Sequence, residues 1–188
     1  PAFARMNDAT GNRNEYLITT LGFASTLIFP VFLGVVMVSE EIIGLVLGSK
    51  WVEVSGLFAI IVVSVPLRIL AYVISPAMLA AGGARINMTN AFITLIFLTC
   101  AIFALLPMGL PGMGIAWSLA SVCVFGLTVV RGGRLLALSL KDIFSSISPA
   151  LFTSLLMCAV IYLVDLQFSN VSGVVGLYKI PLGGFIYA

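Results

Sequence analysis

Apolar residues along this chain fall into long blocks, separated by short intervals of charge or of proline and glycine. A block of about 20 apolar residues is the length of a helix that crosses a bilayer. The first runs over residues 17–39 without a charge and contains Pro30. The second covers 57–79 and holds Pro66, Arg68 and Pro76, with Gly82, Gly83 and Arg85 ending it. Blocks three to five cover 88–106, 113–130 and 147–164, the last closed by Asp165. A sixth begins near Val171, is interrupted by Lys179 and is incomplete at Ala188. Between the first two blocks, residues 40–48 are too short to span and read as a helix extension or an interfacial turn. Pro107–Gly112 reads as a tight turn. Residues 131–146 read as a basic amphipathic connector carrying Arg131, Arg134 and Lys141. The expected fold is all-α, a polytopic transmembrane bundle of about six spans.

Composition narrows the function classes. The chain is 61% hydrophobic and only 9% charged, with nine basic and seven acidic residues among 188. Its mean hydropathy is +1.22. Soluble domains carry about 25% charged residues, so so few cannot solvate a surface of this size in water. A soluble enzyme, a disordered tail and a nucleic-acid-binding domain are excluded by that shortage. There is no histidine, which removes Ser-His-Asp and Cys-His nucleophiles and the zinc motifs built on histidine spacing. Cys100, Cys123 and Cys158 lie far apart inside apolar runs, so they read as packing residues rather than a disulfide framework or a metal site. No cofactor, metal site or catalytic residue is expected.

The loop charges supply orientation. If successive loops alternate sides, Arg5, Arg13, Arg85, Arg131, Arg134 and Lys141 share one side. Lys50 then stands on the other, beside Glu40, Glu41, Glu53 and Asp165. The positive-inside rule places the Arg131–Lys141 connector in the cytoplasm and the Trp51 and Pro107–Gly112 loops outside. Glu40 and Glu41, at a span end, read as solvated rather than as part of an ion path, and Lys179 reads as a boundary lysine. Ala77/Ala81, Ala80/Ala84 and Ala116/Ala120 are small-residue pairs of the kind that let membrane helices approach closely.

Arg68 is the chemically expensive residue. It lies 17 positions from both Trp51 and Arg85, roughly 25 Å along a straight helix. An arginine at the centre of a membrane helix costs about 2.5–3.5 kcal/mol on insertion scales, so it is expected to face a protein interior or a wet cavity. Pro66 and Pro76 each remove an amide donor and are expected to break or kink their helix, while Pro30 is tolerated within its span as a kink position. A proline-broken helix with a buried guanidinium has the character of a transporter's binding helix. Arg68 is therefore the candidate contact for an anionic substrate group, a phosphate or carboxylate, through its forked donors.

Four segments resemble polysaccharide flippases. Pro1-Ala2-Phe3-Ala4-Arg5 resembles their Pro-x-(aromatic or Leu)-x-Arg segment, and Leu45–Trp51 (LVLGSKW) their outer-loop LLLG-x-KW element. Ala80–Arg85 (AAGGAR) is similar to an inner A-x-G-(R/K) turn, and Gly109–Ala116 (GLPGMGIA) to a G-(L/I)-x-G-(V/I)-A turn. The order resembles the C-terminal half of the polysaccharide and O-antigen branch of the multidrug/oligosaccharidyl-lipid/polysaccharide exporter superfamily. That resemblance implies a transporter of 12 to 14 helices in the bacterial inner membrane, of which this chain is a fragment. It also implies alternating-access flipping of undecaprenyl-diphosphate-linked sugar for polysaccharide or O-antigen export. The implied partners are the lipid-linked oligosaccharide, membrane lipid and the N-terminal half of the same protein, with no nucleic acid. A lone half-bundle is expected to be weakly stable.

An ion-coupled drug exporter would favour carboxylates inside the spans, where the first five have none. A membrane transferase would be expected to carry a large, charged outer loop. A permease or scaffold subunit without a site of its own is the remaining alternative.

Overall fold

The computed structural model describes residues 10–169, with side chains for residues 14–163. The expected sixth span over 171–188, Lys179 and the Pro1–Arg5 segment lie outside the described residues. Within them the chain is helical throughout, and five helices are long and apolar enough to cross a membrane.

Helix α1 runs from Thr10 to Met37 and a short α2 from Ser39 to Val46. A 3₁₀ segment, Ser49–Val54, leads into α3, Ser55–Ala80. Helix α4 covers Ala84–Leu105, and a 3₁₀ turn, Leu106–Met108, leads to α5, Leu110–Leu127. One π-helical turn, Thr128–Gly132, joins α5 to α6, Gly133–Leu136, and α7 follows over Leu140–Ser169.

Several expectations change. The helical path continues through the prolines, α3 through Pro66 and Pro76 and α1 through Pro30. In an apolar helix, neighbouring groups compensate the lost amide donor, and Pro66 is itself fully buried. The 131–146 connector is much shorter than expected. Arg131 and Arg134 continue the helical path to Leu136, and Lys141 already belongs to α7, leaving only residues 137–139 as the link. The apolar pattern put the boundary at the first charge, whereas arginines at helix ends extend a membrane helix into the interface. Residues 40–46 of that stretch lie in the separate helix α2, with Glu40 and Glu41 exposed in its first turn. There their charge suits the positive end of the helix dipole.

The helices pack as a row, in the order α7, α1, α3, α5, α4. Although Ala81–Gly83 join α3 to α4, these two touch each other far less than each touches α5. A cleft with α5 as its floor therefore separates them. The core gathers at one end of the helices' long axis. Leu17 and Leu21 of α1, Leu70, Ile74 and Met78 of α3, Val129 beyond α5, and Ile143 of α7 are buried together there. Arg85, Arg131, Arg134 and Lys141 cluster at this end, and Lys50, Trp51 and Glu53 at the opposite one.

Close approach at the core end depends on small residues. A Cβ on Gly132 would lie 2.8 Å from Met78 Sδ, and one on Gly83 2.8 Å from the Met78 carbonyl oxygen. Ala116 and Ala120 are fully buried, as is Ala77. The Ala80/Ala84 pair is different: both are exposed and they belong to different helices, so they form no packing face. At the opposite end α3 and α5 are tied by hydroxyls. Ser118 donates to the Ile60 carbonyl at 2.7 Å, and Ser64 to Ser121 at 3.4 Å. The outer surface is apolar, with Phe23, Phe92, Phe103 and Phe152 all more than half exposed. Such a surface is stable against lipid and not against water.

Candidate functional site

Arg68 occupies the middle of the 26-residue α3, about 20 Å from either end at 1.5 Å per residue. Its guanidinium carbon lies 4.2 Å from the centroid of the Trp117 ring of α5. Its Nε donates to the Tyr72 hydroxyl, one turn along α3, at 3.3 Å. Its Nη1 is buried and has no hydrogen-bond partner. The charge therefore rests on a π-face and one phenol. An unmet buried donor costs about 1–3 kcal/mol, more when charged, so the fork is set to accept an oxygen ligand.

Tyr72 connects this group to the cleft between α3 and α4. A cavity of about 200 Å³ there is lined by Tyr72, Ser75, Asn87, Asn90 and Thr128, with Ala71, Ala91 and Val124 between them. Asn87 Nδ2 donates to Ser75 Oγ at 2.6 Å, tying α4 to α3. Asn90 is only 3% exposed. Its Oδ1 accepts from Arg131 Nη1 at 3.0 Å, and its Nδ2 has no partner.

Arg131 in turn lines a second, larger cavity of about 540 Å³ at the end of the bundle, together with Arg85, Ile86, Thr89, Arg134 and Leu135. The polar residues thus form one track. It runs from three arginines at the helix ends through Asn90, Asn87 and Ser75 to Tyr72, and stops at Arg68 in the middle of α3. Fourteen residues of helical path, Trp117 to Arg131, cover about 21 Å, more than half of a roughly 30 Å hydrocarbon core. Polar groups at that depth face protein or water-filled space rather than lipid.

Sequence reasoning picked out Arg68 but missed Tyr72, Ser75, Asn87, Asn90, Trp117 and Thr128. Two amides three residues apart in an otherwise apolar span were the readable signal. Nothing in the sequence paired Asn90 with Arg131, since Arg131 was placed in the connector. The prolines do not meet this track: Pro30 lies on α1 and Pro76 is exposed. Pro66 is buried two residues before Arg68. Among the described residues no group of three or more histidine, cysteine, aspartate or glutamate side chains could hold a metal ion.

These features define an all-helical, membrane-type bundle with a polar track entering from one end. Residues 1–56 match the model of a family described as polysaccharide biosynthesis protein. The matched stretch takes in two of the four flippase-like segments, Pro1–Arg5 and Leu45–Trp51, and ends at the start of α3. The turns at Ala80–Arg85 and Gly109–Ala116 lie beyond it. No curated protein and no solved structure matches the chain.

Proposed function

We propose that this chain is part of a membrane transporter in polysaccharide biosynthesis, moving a lipid-linked oligosaccharide across the bacterial inner membrane by alternating access. On this reading the substrate is an undecaprenyl-diphosphate-linked sugar and the protein is a flippase of polysaccharide or O-antigen export. It would be completed by an N-terminal half and surrounded by membrane lipid. The Arg131–Lys141 end faces the cytoplasm. The chain moves its substrate without making or breaking a covalent bond in it.

One observation carries the reading: the polar track that reaches the middle of α3 and stops at Arg68, whose Nη1 lacks a partner. A passage for sugars needs donors and acceptors along an otherwise apolar wall, and the amides and hydroxyls of the cleft supply them. A phosphate or acidic sugar needs a cation where no water follows it, and Arg68 supplies that. An ion-coupled exporter is less well supported, because the described carboxylate side chains, Glu15, Glu40, Glu41, Glu53 and Asp142, lie at or near helix ends. The similarity of residues 1–56 to a polysaccharide biosynthesis family supports the substrate class.

The test is a host strain whose own gene carries Arg68→Ala. Surface polysaccharide should fall severalfold while the protein reaches the membrane in normal amount, and Arg68→Lys should restore part of it. Normal export by the Arg68→Ala strain would retire the assignment.

A further inference from the structure

We propose that the cavity lined by Arg85, Arg131 and Arg134 is a binding site for a phosphate or diphosphate group, presented at the end of the bundle. The argument begins with the π-helical turn at Thr128–Gly132. A π turn inserts one extra residue into an α-helical path and so resets which face the following side chains occupy. Arg131 lies within this turn and Arg134 two residues beyond its end, and both line the same cavity as Arg85 of α4. The half-buried Arg131 is fixed by its bond to the buried Asn90.

Three further features point to an anion. Among the described residues no carboxylate lines the cavity, and three guanidinium groups line about 540 Å³ of space. The N-terminus of the 22-residue α4 opens at the same place, because Arg85 and Ile86 are its second and third residues. That helix has no side-chain cap and no acid in its first turn. Free amides and the positive end of the helix dipole therefore add to the arginine field. Thr89 contributes a hydroxyl, although its proton is already given to the Arg85 carbonyl at 2.8 Å. Planar, always-charged arginine forks match phosphate oxygens bidentately. Binding of an oxyanion here is separable from transport. That its source is the carried lipid, docking before it enters the track toward Arg68, rests on the function proposed above.

The chain purified in a neutral maltoside detergent is titrated calorimetrically with farnesyl diphosphate, inorganic pyrophosphate and farnesol. Farnesyl diphosphate should bind, and Arg85→Gln/Arg134→Gln should weaken it at least tenfold. Both arginines are exposed and neither side chain donates a hydrogen bond among the described residues, so this double variant should keep the parent's circular dichroism. Competition by pyrophosphate marks a site for the free anion. Binding of farnesyl diphosphate that pyrophosphate does not displace assigns the site to a lipid-borne headgroup. Farnesol should give no arginine-dependent heat. The proposal is overturned if neither phosphate compound binds, or if both bind equally well to the parent and the double variant. Because no transport is measured, failure here leaves the Arg68 export test standing, and loss of that reading leaves this one intact.

Discussion

Two glycines against the same methionine allow the packing at the arginine end to be tested quantitatively. A Cβ on Gly132 would meet Met78 Sδ at 2.8 Å, Met78 Cγ at 3.2 Å and Ile74 Cγ2 at 3.4 Å. The two closest atoms belong to a flexible side chain, which can yield. Replacing glycine by alanine in a helical segment also gains up to about 1 kcal/mol in propensity, so Gly132→Ala should change stability by less than about 1 kcal/mol. Gly83 differs. Its Cβ would meet the Met78 carbonyl oxygen at 2.8 Å and collide with Leu135 Cδ2. Gly83 N–H donates to that same carbonyl at 2.8 Å, so the backbone of the α3–α4 turn is held on both sides. Its φ of −80° is open to alanine, which leaves sterics alone to decide the outcome. Overpacking of this kind costs about 1–3 kcal/mol; with backbone in the way the upper part of the range applies, and Gly83→Ala should lose about 2–3 kcal/mol. The assay is unfolding of the purified chain in mixed maltoside–dodecyl sulfate micelles, followed by far-ultraviolet circular dichroism. Equal losses at the two positions, or a larger loss at Gly132, would refute the distinction between yielding side chain and fixed backbone.

Three other outcomes are expected. Asn90→Asp puts a carboxylate beside Arg131 and supplies an internal counter-ion, so calorimetric affinity for farnesyl diphosphate should drop about tenfold or more with unfolding little changed; unaltered affinity would contradict the role given to Arg131. Trp117→Leu removes the face under Arg68, an interaction worth about 0.5–2 kcal/mol, and a double-mutant cycle with Arg68→Ala in the same micelle assay should show coupling of that size, whereas strict additivity would mean that the ring and the cation do not interact. With the native cysteines replaced, Ser139→Cys should react with a charged maleimide only after the cytoplasmic side is opened, and Ser49→Cys in intact spheroplasts; the reverse pattern would invert the orientation.

The pattern of apolar blocks was enough to place five long helices, because hydrocarbon length constrains each block independently of what packs against it. Boundaries were harder. Arg131 reads as the start of a loop, but long basic side chains at a helix end keep their stems in apolar surroundings while the charge reaches water. The helix therefore continues to Leu136. The prolines pose the same difficulty. A proline in a sequence marks a lost donor, yet whether the helix stops there depends on neighbours that the sequence does not display. Arg68 was legible because a mid-span charge is costly by itself. Asn90, Tyr72 and Trp117 were not, because an amide, a phenol or an indole acquires meaning only from the helix opposite it, and the row order α7, α1, α3, α5, α4 does not follow the order of the chain.

That row order bears directly on the transport reading. Helix α4 touches the rest of the molecule mainly through α5, so one wall of the polar cleft is set by a single helix-to-helix contact. The core that fixes α3 and α5 lies at the arginine end, where Asn87–Ser75 and Arg131–Asn90 also hold α4. Toward the opposite end, α4 presents Phe97 and Phe103 outward. At that end the Leu106–Met108 turn joins α4 directly to α5, and a Cβ on Gly112 would collide with the Leu105 carbonyl oxygen, so α4 is held to α5 at both ends. The Asn87–Ser75 bond links the two walls of the cleft, and removing it with Ser75→Ala should loosen the cleft without touching Arg68 or the arginine cavity.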